Sequence, residues 1–214
     1  MVEQDFQSIA ERIARLNSAE NHKYLWEHGY TQLTQLFTPN ECQELINLYS
    51  DDSRFDSSLN TSRNRSGEDT HKFFRYPLPE IVEKLREHGY RATVGMANQW
   101  NESLGINYRF PSMHAEFIEQ CRNAGQRRLS PQLLCLEAGG YSSLHQNVYG
   151  RVIFPLQMTV YLSERDADYT GGEFVIAEHR PRAETTVNVL RPKQGTAVIF
   201  TARCRPAPGT EGVG

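Results

Sequence analysis

The stretch from Leu134 to Arg182, LCLEAGGYSSLHQNVYGRVIFPLQMTVYLSERDADYTGGEFVIAEHRPR, decides the fold class of this chain. It contains short runs of Val, Ile, Leu, Phe and Thr that are separated by turn-forming Gly, Asp, Pro and Arg residues, a pattern typical of β-strands. The pattern begins at PQLLCLEA (131–138) and continues through TTVNVL (185–190) and GTAVIFTAR (195–203). These segments predict an antiparallel β region, built as a sandwich or barrel.

The chain before residue 131 reads as mainly helical. An amphipathic helix is predicted over 6–16, because its apolar residues recur at spacings of three and four. Thr38 as N-cap, Pro39 in the first turn and Glu41 at the capping-box position predict a second helix through about Tyr49. Further helices are predicted in PLPEIVEKLREHGY (77–90), VGMANQWNESLG (94–105) and MHAEFIEQCRNAG (113–125), the last ending at Gly125.

The predicted fold class is therefore α+β, with a helical N-terminal region (1–130) packed on a β region (131–214) in one integrated unit. Residues 51–75 are polar and predict a long surface loop or irregular strands. Basic and aromatic residues there either line a groove for an anionic partner or belong to a solvated loop whose aromatic rings pack inward: Arg63, Arg65, His71, Lys72, Phe73, Phe74, Arg75 and Tyr76.

Composition excludes several classes of protein. The net charge of −3 and pI near 6.2 give no global attraction to nucleic acid or to an anionic membrane, so such binding would need a local patch. No apolar run approaches the roughly 20 residues that span a bilayer, and the N-terminus does not read as a signal peptide, so a cytoplasmic protein is expected. Four scattered cysteines without a C-x-x-C pair predict free thiols.

His145 and Asn147 form the candidate metal-binding pair. Side chains two apart on a strand point to the same face, so both could contact one ion while Gln146 faces away. An iron site for oxygen chemistry uses two imidazoles and one carboxylate. Asn147 offers only a neutral amide oxygen in the place of that carboxylate, which predicts a weakened site. Alone, an H-x-N sequence is more typical of a hydrogen-bonded surface or core histidine than of a metal ligand.

The surrounding motifs resemble the iron(II)- and 2-oxoglutarate-dependent oxygenases. Within that superfamily the chain resembles a bacterial branch often labelled as acting on damaged nucleic acid, whose members carry LHQDLYG, FPLQ, LSE, GGEF and RPR in this order. The corresponding stretches here are LHQNVYG (144–150), FPLQ (154–157), LSE (162–164), GGEF (171–174) and RPR (180–182). The resemblance extends upstream to FTPNEC (37–42).

The resemblance implies a double-stranded β-helix, a jelly-roll-type fold, whose mouth binds Fe(II) and the small-molecule co-substrate 2-oxoglutarate. It implies His145 and Asn147 at the metal, and Tyr161 where a related branch has a tyrosine that bonds 2-oxoglutarate; a core tyrosine is the alternative. Leu136 stands where related enzymes often have a tyrosine. The distal histidine and co-substrate arginine of the family would lie beyond Gly214, so a C-terminally truncated fold without its last strands is expected, and Ala197–Arg203 should lack a following partner strand.

Three further features complete the sequence predictions. His179 is a weaker metal-ligand candidate. Thr170–Ile176 should be scaffold, because Gly171 and Gly172 permit a tight turn. Basic residues of the β region form either a solvated face or a rim for an anionic substrate: Arg180, Arg182, Arg191, Lys193, Arg203 and Arg205.

The predicted function is a 2-oxoglutarate-dependent dioxygenase by family, hydroxylating or oxidatively demethylating a substrate such as damaged nucleic acid, with impaired catalysis in this chain. The first alternative is a non-catalytic jelly-roll module that binds an anionic or nucleic-acid ligand. A cupin-like isomerase or sugar-binding jelly roll fits the strands but not the GGEF neighbourhood.

Overall fold

The computed structural model describes residues 7–56, 61–62, 69–126, 131–146, 148, 150–179 and 184–206. Its N-terminal part begins with helix α1 (Ile9–Ala14), which Ser8 and Glu11 close with a capping box and which continues as a 3-10 turn over Arg15–Asn17. Helix α2 (Ala19–His28) follows and ends at Gly29, whose φ of 76° is a left-handed conformation that glycine adopts without strain. The predicted helix over 6–16 is thus shorter and tightens at its end.

Helix α3 (Pro39–Leu48) has the start that its sequence predicts. The Thr38 hydroxyl accepts the Glu41 backbone N–H, and the Glu41 carboxylate accepts the Thr38 N–H at 2.7 Å, so the capping box is confirmed. The same carboxylate pairs with both terminal nitrogens of Arg12, at 2.6 and 2.7 Å. One side chain therefore caps α3 and ties it to α1.

Helix α4 (Glu80–Ser103) corrects the prediction of two separate helices in this region. Gly89 does not interrupt the helix. It lies where a Cβ would sit 3.4 Å from the terminal methyl of Met158, so its small size serves close packing against a strand. Helix α5 (His114–Asn123) follows, and Gly125 with φ of 80° stands just after its end, as expected. None of the helices in the described ranges has the length and apolarity needed to cross a membrane.

The strands form three small antiparallel sheets. The first has the order β1–β8–β5, made of β1 (Tyr30–Leu33), β8 (Ala197–Thr201) and β5 (Leu156–Val160). The second has the order β2–β3–β4, made of β2 (Thr61–Ser62), β3 (Asp69–Phe73) and β4 (Gln132–Leu136). The third is the hairpin of β6 (Phe174–Glu178) and β7 (Thr186–Leu190).

Two of these pairings differ from the sequence predictions. The polar 51–75 region contains β3, a regular strand that pairs along its whole length with β4. The strand at Ala197–Arg203 does not have an unpaired edge, because β8 lies between β1 and β5 and is hydrogen-bonded to both. The partner that sequence order could not reveal is β1, which comes from the N-terminal region.

Two apolar layers lie on opposite faces of the β1–β8–β5 sheet. Ala197 and Ile199 of β8 join the main core with residues of the helices, including Ile13, Leu45 and Trp100. Val198, between them on the strand, faces the other way and packs with Tyr30 and Leu190. Phe174 and Ile176 of β6 cover this second cluster. The α+β class is confirmed: helices cover one face of the sheet and the β6–β7 hairpin covers the other.

Candidate functional site

His145 is exposed in the connection between β4 and β5. Its Nδ1 lies 2.7 Å from the backbone oxygen of Ser143. A carbonyl oxygen can only accept, so Nδ1 carries a proton and donates, and in the neutral ring Nε2 is then the nitrogen with the lone pair. Metal-binding histidines are commonly held in this way, with the second ring nitrogen bonded to a carbonyl. The ring therefore presents one nitrogen suited to a metal ion.

The connection that carries His145 is anchored at both ends. At its start the Gly140 N–H donates to the Glu137 oxygen at 2.9 Å, which forms a turn directly after β4. At its end the Gln126 side chain bonds Val152 twice, donating to its oxygen at 3.1 Å and accepting its N–H at 2.9 Å. Gly150 has φ of 86°, and a Cβ there would collide with Gln126. Gln126 thus fixes this end of the connection, although the sequence did not single it out. The one related signal in the sequence is Gly150, which leaves room for the Gln126 side chain.

The described residues do not supply a complete ligand set for iron. Asn147, the second predicted ligand, lies outside them. Across the described part of the chain, no three His, Cys, Asp or Glu side chains come together as a metal site. His179 is exposed beside the β6–β7 hairpin, and its Nδ1 lies 3.1 Å from the Thr185 hydroxyl. His145 alone contributes a prepared donor, so no catalytic step through a metal can be derived from these residues.

Tyr161 follows β5 and is half-buried in the second cluster. Its backbone is tied to the turn before β8, since its N–H donates to Thr196 at 3.0 Å and its oxygen accepts from Gly195 at 2.8 Å. Its ring meets Phe174 edge-on with centroids 6.3 Å apart. Burial, with a smaller contribution from Tyr169, raises the pKa of Tyr161, so its phenol stays protonated and able to donate. The ring packs as a core tyrosine; a bond to 2-oxoglutarate stays a prediction.

Leu136 ends β4 on an open face of the β2–β3–β4 sheet. Residues alternate along β4, so Leu133 packs against the main core while Leu134 and Leu136 on the other face are 46% and 44% exposed. His71 of β3 stands opposite Leu134 in the register, and its Nδ1 lies 3.1 Å from the Gln132 side-chain oxygen. This face of the sheet therefore carries both apolar and polar side chains, with Leu134 and Leu136 beside His71 and Gln132.

Among the basic and aromatic residues of 51–76, Lys72 and Phe74 pack into the fold, whereas Arg75 and Tyr76 are exposed. Lys72 donates to the Tyr49 oxygen at 2.8 Å and to Asp52 at 2.7 Å, and its ammonium lies 4.4 Å from the centre of the Tyr49 ring. Phe74 is buried against Phe55, with ring centroids 4.9 Å apart. These contacts pack the segment, as the alternative interpretation held. Arg63 and Arg65 lie outside the described residues.

The basic residues of the β region also include both a residue that packs into the fold and residues that are exposed. The side chain of Arg205 is largely buried: it donates to the Trp26 and Glu27 oxygens at the end of α2 and pairs with Glu178 at 2.9 Å. Arg191 is exposed and pairs with Glu173 at 3.3 Å. Lys193 and Arg203 are exposed, and Arg180 and Arg182 lie outside the described residues. Arg205 therefore belongs to the fold rather than to a substrate rim.

The Thr170–Ile176 segment is a tight turn leading into β6, as predicted. Gly171 and Gly172 have φ of 78° and 64°, and a Cβ on Gly172 would lie 2.8 Å from the Tyr169 ring. Arg165 closes the turn by donating to the Gly171 oxygen at 2.7 Å and pairing with Glu173. The segment acts as scaffold.

Comparisons with known proteins point to oxygenases. A family model described as "oxygenase, catalysing oxidative methylation of damaged DNA" matches residues 69–214. Two uncharacterized proteins of Mycobacterium tuberculosis, one in each of two strains, are 34% identical over 139 residues, which is 65% of this chain. The chain spans about 60% of the length of these curated relatives.

A solved structure shares the fold. The crystal structure of a prolyl-4-hydroxylase of Pseudomonas putida matches with a TM-score of 0.50, covering 86% of this chain and 85% of that chain. The sequence identity is 13%, so the likeness concerns the fold alone.

Proposed function

The chain belongs to the oxygenase family described as catalysing oxidative methylation of damaged DNA, a branch of the iron(II)- and 2-oxoglutarate-dependent oxygenase superfamily, and from that premise we propose that it derives from a dioxygenase of nucleic acid and has impaired catalysis of its own. We infer further that the β1–β8–β5 sheet and the β6–β7 hairpin are facing layers of a double-stranded β-helix. The two layers enclose one apolar cluster, which supports this inference.

His145 is the observation that carries the proposal. Its Nδ1–H is committed to Ser143, so Nε2 is available to a metal ion without a change of tautomer. Fe(II) with 2-oxoglutarate, when bound, supplies an oxidant for hydroxylating a C–H bond, which at an N-methyl group releases formaldehyde. Tyr161 is the proposed hydrogen-bond donor to 2-oxoglutarate, because its phenol is protonated and lies in the cluster between the two layers.

Impairment follows from Asn147. An amide oxygen contributes a dipole where a carboxylate would neutralise part of the metal charge, so Fe(II) should bind more weakly than in enzymes with H-x-D. Within the described residues, no three His, Cys, Asp or Glu side chains come together as a metal site. We therefore expect weak metal binding and little turnover.

The test is an anaerobic titration with Fe(II) and 2-oxoglutarate, followed by succinate measurement after oxygen is admitted. Asn147→Asp should strengthen Fe(II) binding by at least about tenfold, since a charged ligand replaces a neutral one. His145→Ala should abolish it in both backgrounds, whereas His179→Ala, an exposed histidine of the hairpin, should leave it unchanged. Fe(II) binding that survives His145→Ala would overturn the assignment.

A non-catalytic binding module is the second candidate, and Asn147 in the place of a metal-binding carboxylate favours it. It predicts ligand binding that does not depend on Fe(II) and an Asn147→Asp variant that still forms no succinate. Restored succinate production would exclude it.

A further inference from the structure

The side chain of Gln126 acts as the backbone partner of Val152, a half-buried residue between β4 and β5. Its amide donates to the Val152 oxygen at 3.1 Å and accepts the Val152 N–H at 2.9 Å, so one side chain satisfies both backbone groups. Gln126 is itself fixed at the end of α5, because its N–H donates to the Cys121 oxygen at 3.0 Å. Val152 is therefore tied to α5 by two hydrogen bonds.

Gly150 leaves the room that this amide needs. Its φ is 86°, and a Cβ there would lie 2.6 Å from the amide nitrogen of Gln126. That separation is too short for any real contact, so a side chain at this position would have to displace the amide. The backbone at this end of the connection is therefore shaped around Gln126.

The chain around His145 is held in place mainly through its two ends. Within the described part of 141–151 the hydrogen bonds are local, from His145 to Ser143 at 2.7 Å and from the Val148 N–H to the Gln146 oxygen at 3.0 Å. His145 is also exposed, so burial does not hold its ring. The place of the ring relative to the rest of the protein therefore depends on how the two ends are fixed.

Packing reinforces the end that Gln126 holds. Phe154, two residues after Val152, meets the rings of Tyr90 on α4 and Phe117 on α5, with centroids 5.2 and 5.7 Å apart. Helix α5 thus supplies a ring for Phe154 and, just beyond its end, the amide for Val152. Helix α5 and this end of the connection therefore form one packed unit.

We propose that Gln126 is a positioning residue of the proposed oxygenase site, which places His145 for the metal by fixing Val152 relative to α5. Gln126 touches neither the metal nor the substrate in this proposal and acts through the connection. The proposal rests on the proposed function, because a fixed His145 serves the site only if a metal binds there. Residues that orient a metal ligand change metal affinity by roughly ten- to a hundredfold when they are replaced, which makes the effect measurable.

The first measurement uses metal-free protein and compares Gln126→Ala with Gln120→Ala, a matched change on α5 that removes a bond to Tyr108 instead. Amide exchange at Val152 should quicken by roughly three- to tenfold in Gln126→Ala, because its acceptor is lost. Exchange at Val148 should rise with it. The ¹⁵N signals of the His145 ring should shift and broaden. Gln120→Ala should leave all of these as in the wild type.

The second measurement is the anaerobic Fe(II) affinity in the Asn147→Asp background. Gln126→Ala should weaken it by roughly tenfold, whereas Gln120→Ala should not change it. Gly150→Ala should weaken it as well, because the new Cβ displaces the amide. Gln126→Ala and Gly150→Ala together should weaken binding by less than the product of their separate losses, since no amide is left to displace.

Unchanged exchange and ring signals in Gln126→Ala would overturn the proposal, and so would unchanged Fe(II) affinity where Asn147→Asp binds the ion. Equal losses in Gln126→Ala and Gln120→Ala would overturn it too, because the effect would then belong to α5 as a whole. No Fe(II) binding by Asn147→Asp itself would instead overturn the proposed function, and the metal-free measurement would still decide whether Gln126 positions His145. If circular dichroism finds Gln126→Ala unfolded, Gln126→Met, which keeps the length without the amide, takes its place.

Discussion

At the scale of single residues, the surroundings of His114 disfavour the protonated, charged form of its ring. His114 starts α5, half-buried, with its ring 5.4 Å from that of Tyr90. Burial, together with the positive charge of Arg86, lowers the pKa of His114 to about 4, although Glu87 acts in the opposite direction. The folded protein therefore keeps this ring neutral at pH values where the unfolded chain protonates it.

Stability should consequently fall as the pH drops from 6.5 towards 4, because the unfolded state binds the extra proton in this window. At about pH 5 the loss from His114 should be below about 2 kcal/mol, the upper limit set by 1.36 kcal/mol for each pH unit below the unfolded pKa, because solvent screens this partly exposed ring. Urea unfolding of wild type and His114→Phe at about pH 5 and about pH 7.5 measures it. The variant should lose less stability on acidification, whereas His179→Asn should behave as wild type. Identical pH dependence in wild type and His114→Phe would contradict the assignment.

The structural role of a single residue was predictable where neighbours in the sequence determine it. Thr38 and Glu41 form their capping box from neighbours in sequence, and Gly125 ends a helix by its own conformational freedom. Lys72 and Gln126 were not predictable, because their partners are fixed only by tertiary structure. In the candidate site, the surrounding motifs make His145 a candidate ligand, and this stays a prediction, whereas its bond to Ser143 is visible only in the structure.

At the scale of elements, the Arg12–Glu41 pair joins α1 to α3 in a partly buried setting. Burial acts to raise the pKa of Glu41, but the bonds from Arg12 and Thr38 outweigh it and lower that pKa. The Nε of Arg12 is buried and has no hydrogen-bond partner among the described residues, so the hydrogen bonds to Glu41 are the ones that compensate this guanidinium. Removing the carboxylate would leave a charge in a desolvated place.

Glu41→Ala should therefore destabilise the protein by about 3 kcal/mol, through the unpaired Arg12 and the lost cap of α3. The double variant Arg12→Ala with Glu41→Ala should lose less unfolding free energy than the sum of the two single variants, because each single change leaves the other charge unpaired. Urea unfolding of the four proteins in this cycle gives the coupling. Lys84→Ala, which breaks an exposed pair on α4, is the control and should have little effect. Strict additivity would show that the two elements are not coupled here.

Element prediction was least accurate in two places. The helices predicted separately in 77–90 and 94–105 are one continuous helix, α4, and Gly89 within it leaves room for Met158. The polar composition of 51–75 predicted a loop or irregular strands, whereas β3 is a regular strand whose partner β4 lies far along the chain. The strands after residue 130 were located correctly, since their apolar runs and turn residues are local signals.

At the scale of the whole molecule, strands from both regions share sheets. β1 pairs with β8, and β3 pairs with β4, so two sheets cross the boundary predicted at residue 130. Arg205 adds a further tie by bonding the end of α2. These contacts are the reason to expect one integrated unit.

Residues 131–214 expressed alone should therefore lack a cooperative unfolding transition, because β8 would lose β1 and the helices that cover its inner face. Mixing this fragment with 1–130 should restore a transition if the two associate. Thermal melts followed by circular dichroism test this. A cooperative melt of 131–214 alone would show two independent domains instead.

The central place of β8 also sets the order in which this protein can fold during its synthesis. Tyr30 of β1 pairs with Phe200 of β8. This pair can form only after the whole chain between the two residues has been translated. Contacts this distant in sequence slow folding, because a long loop must close before they form. Until the ribosome has released β8, β1 and β5 have no strand between them. Nascent chains should stay protease-sensitive until then, so co-translational chaperones would meet this protein with its first sheet still open.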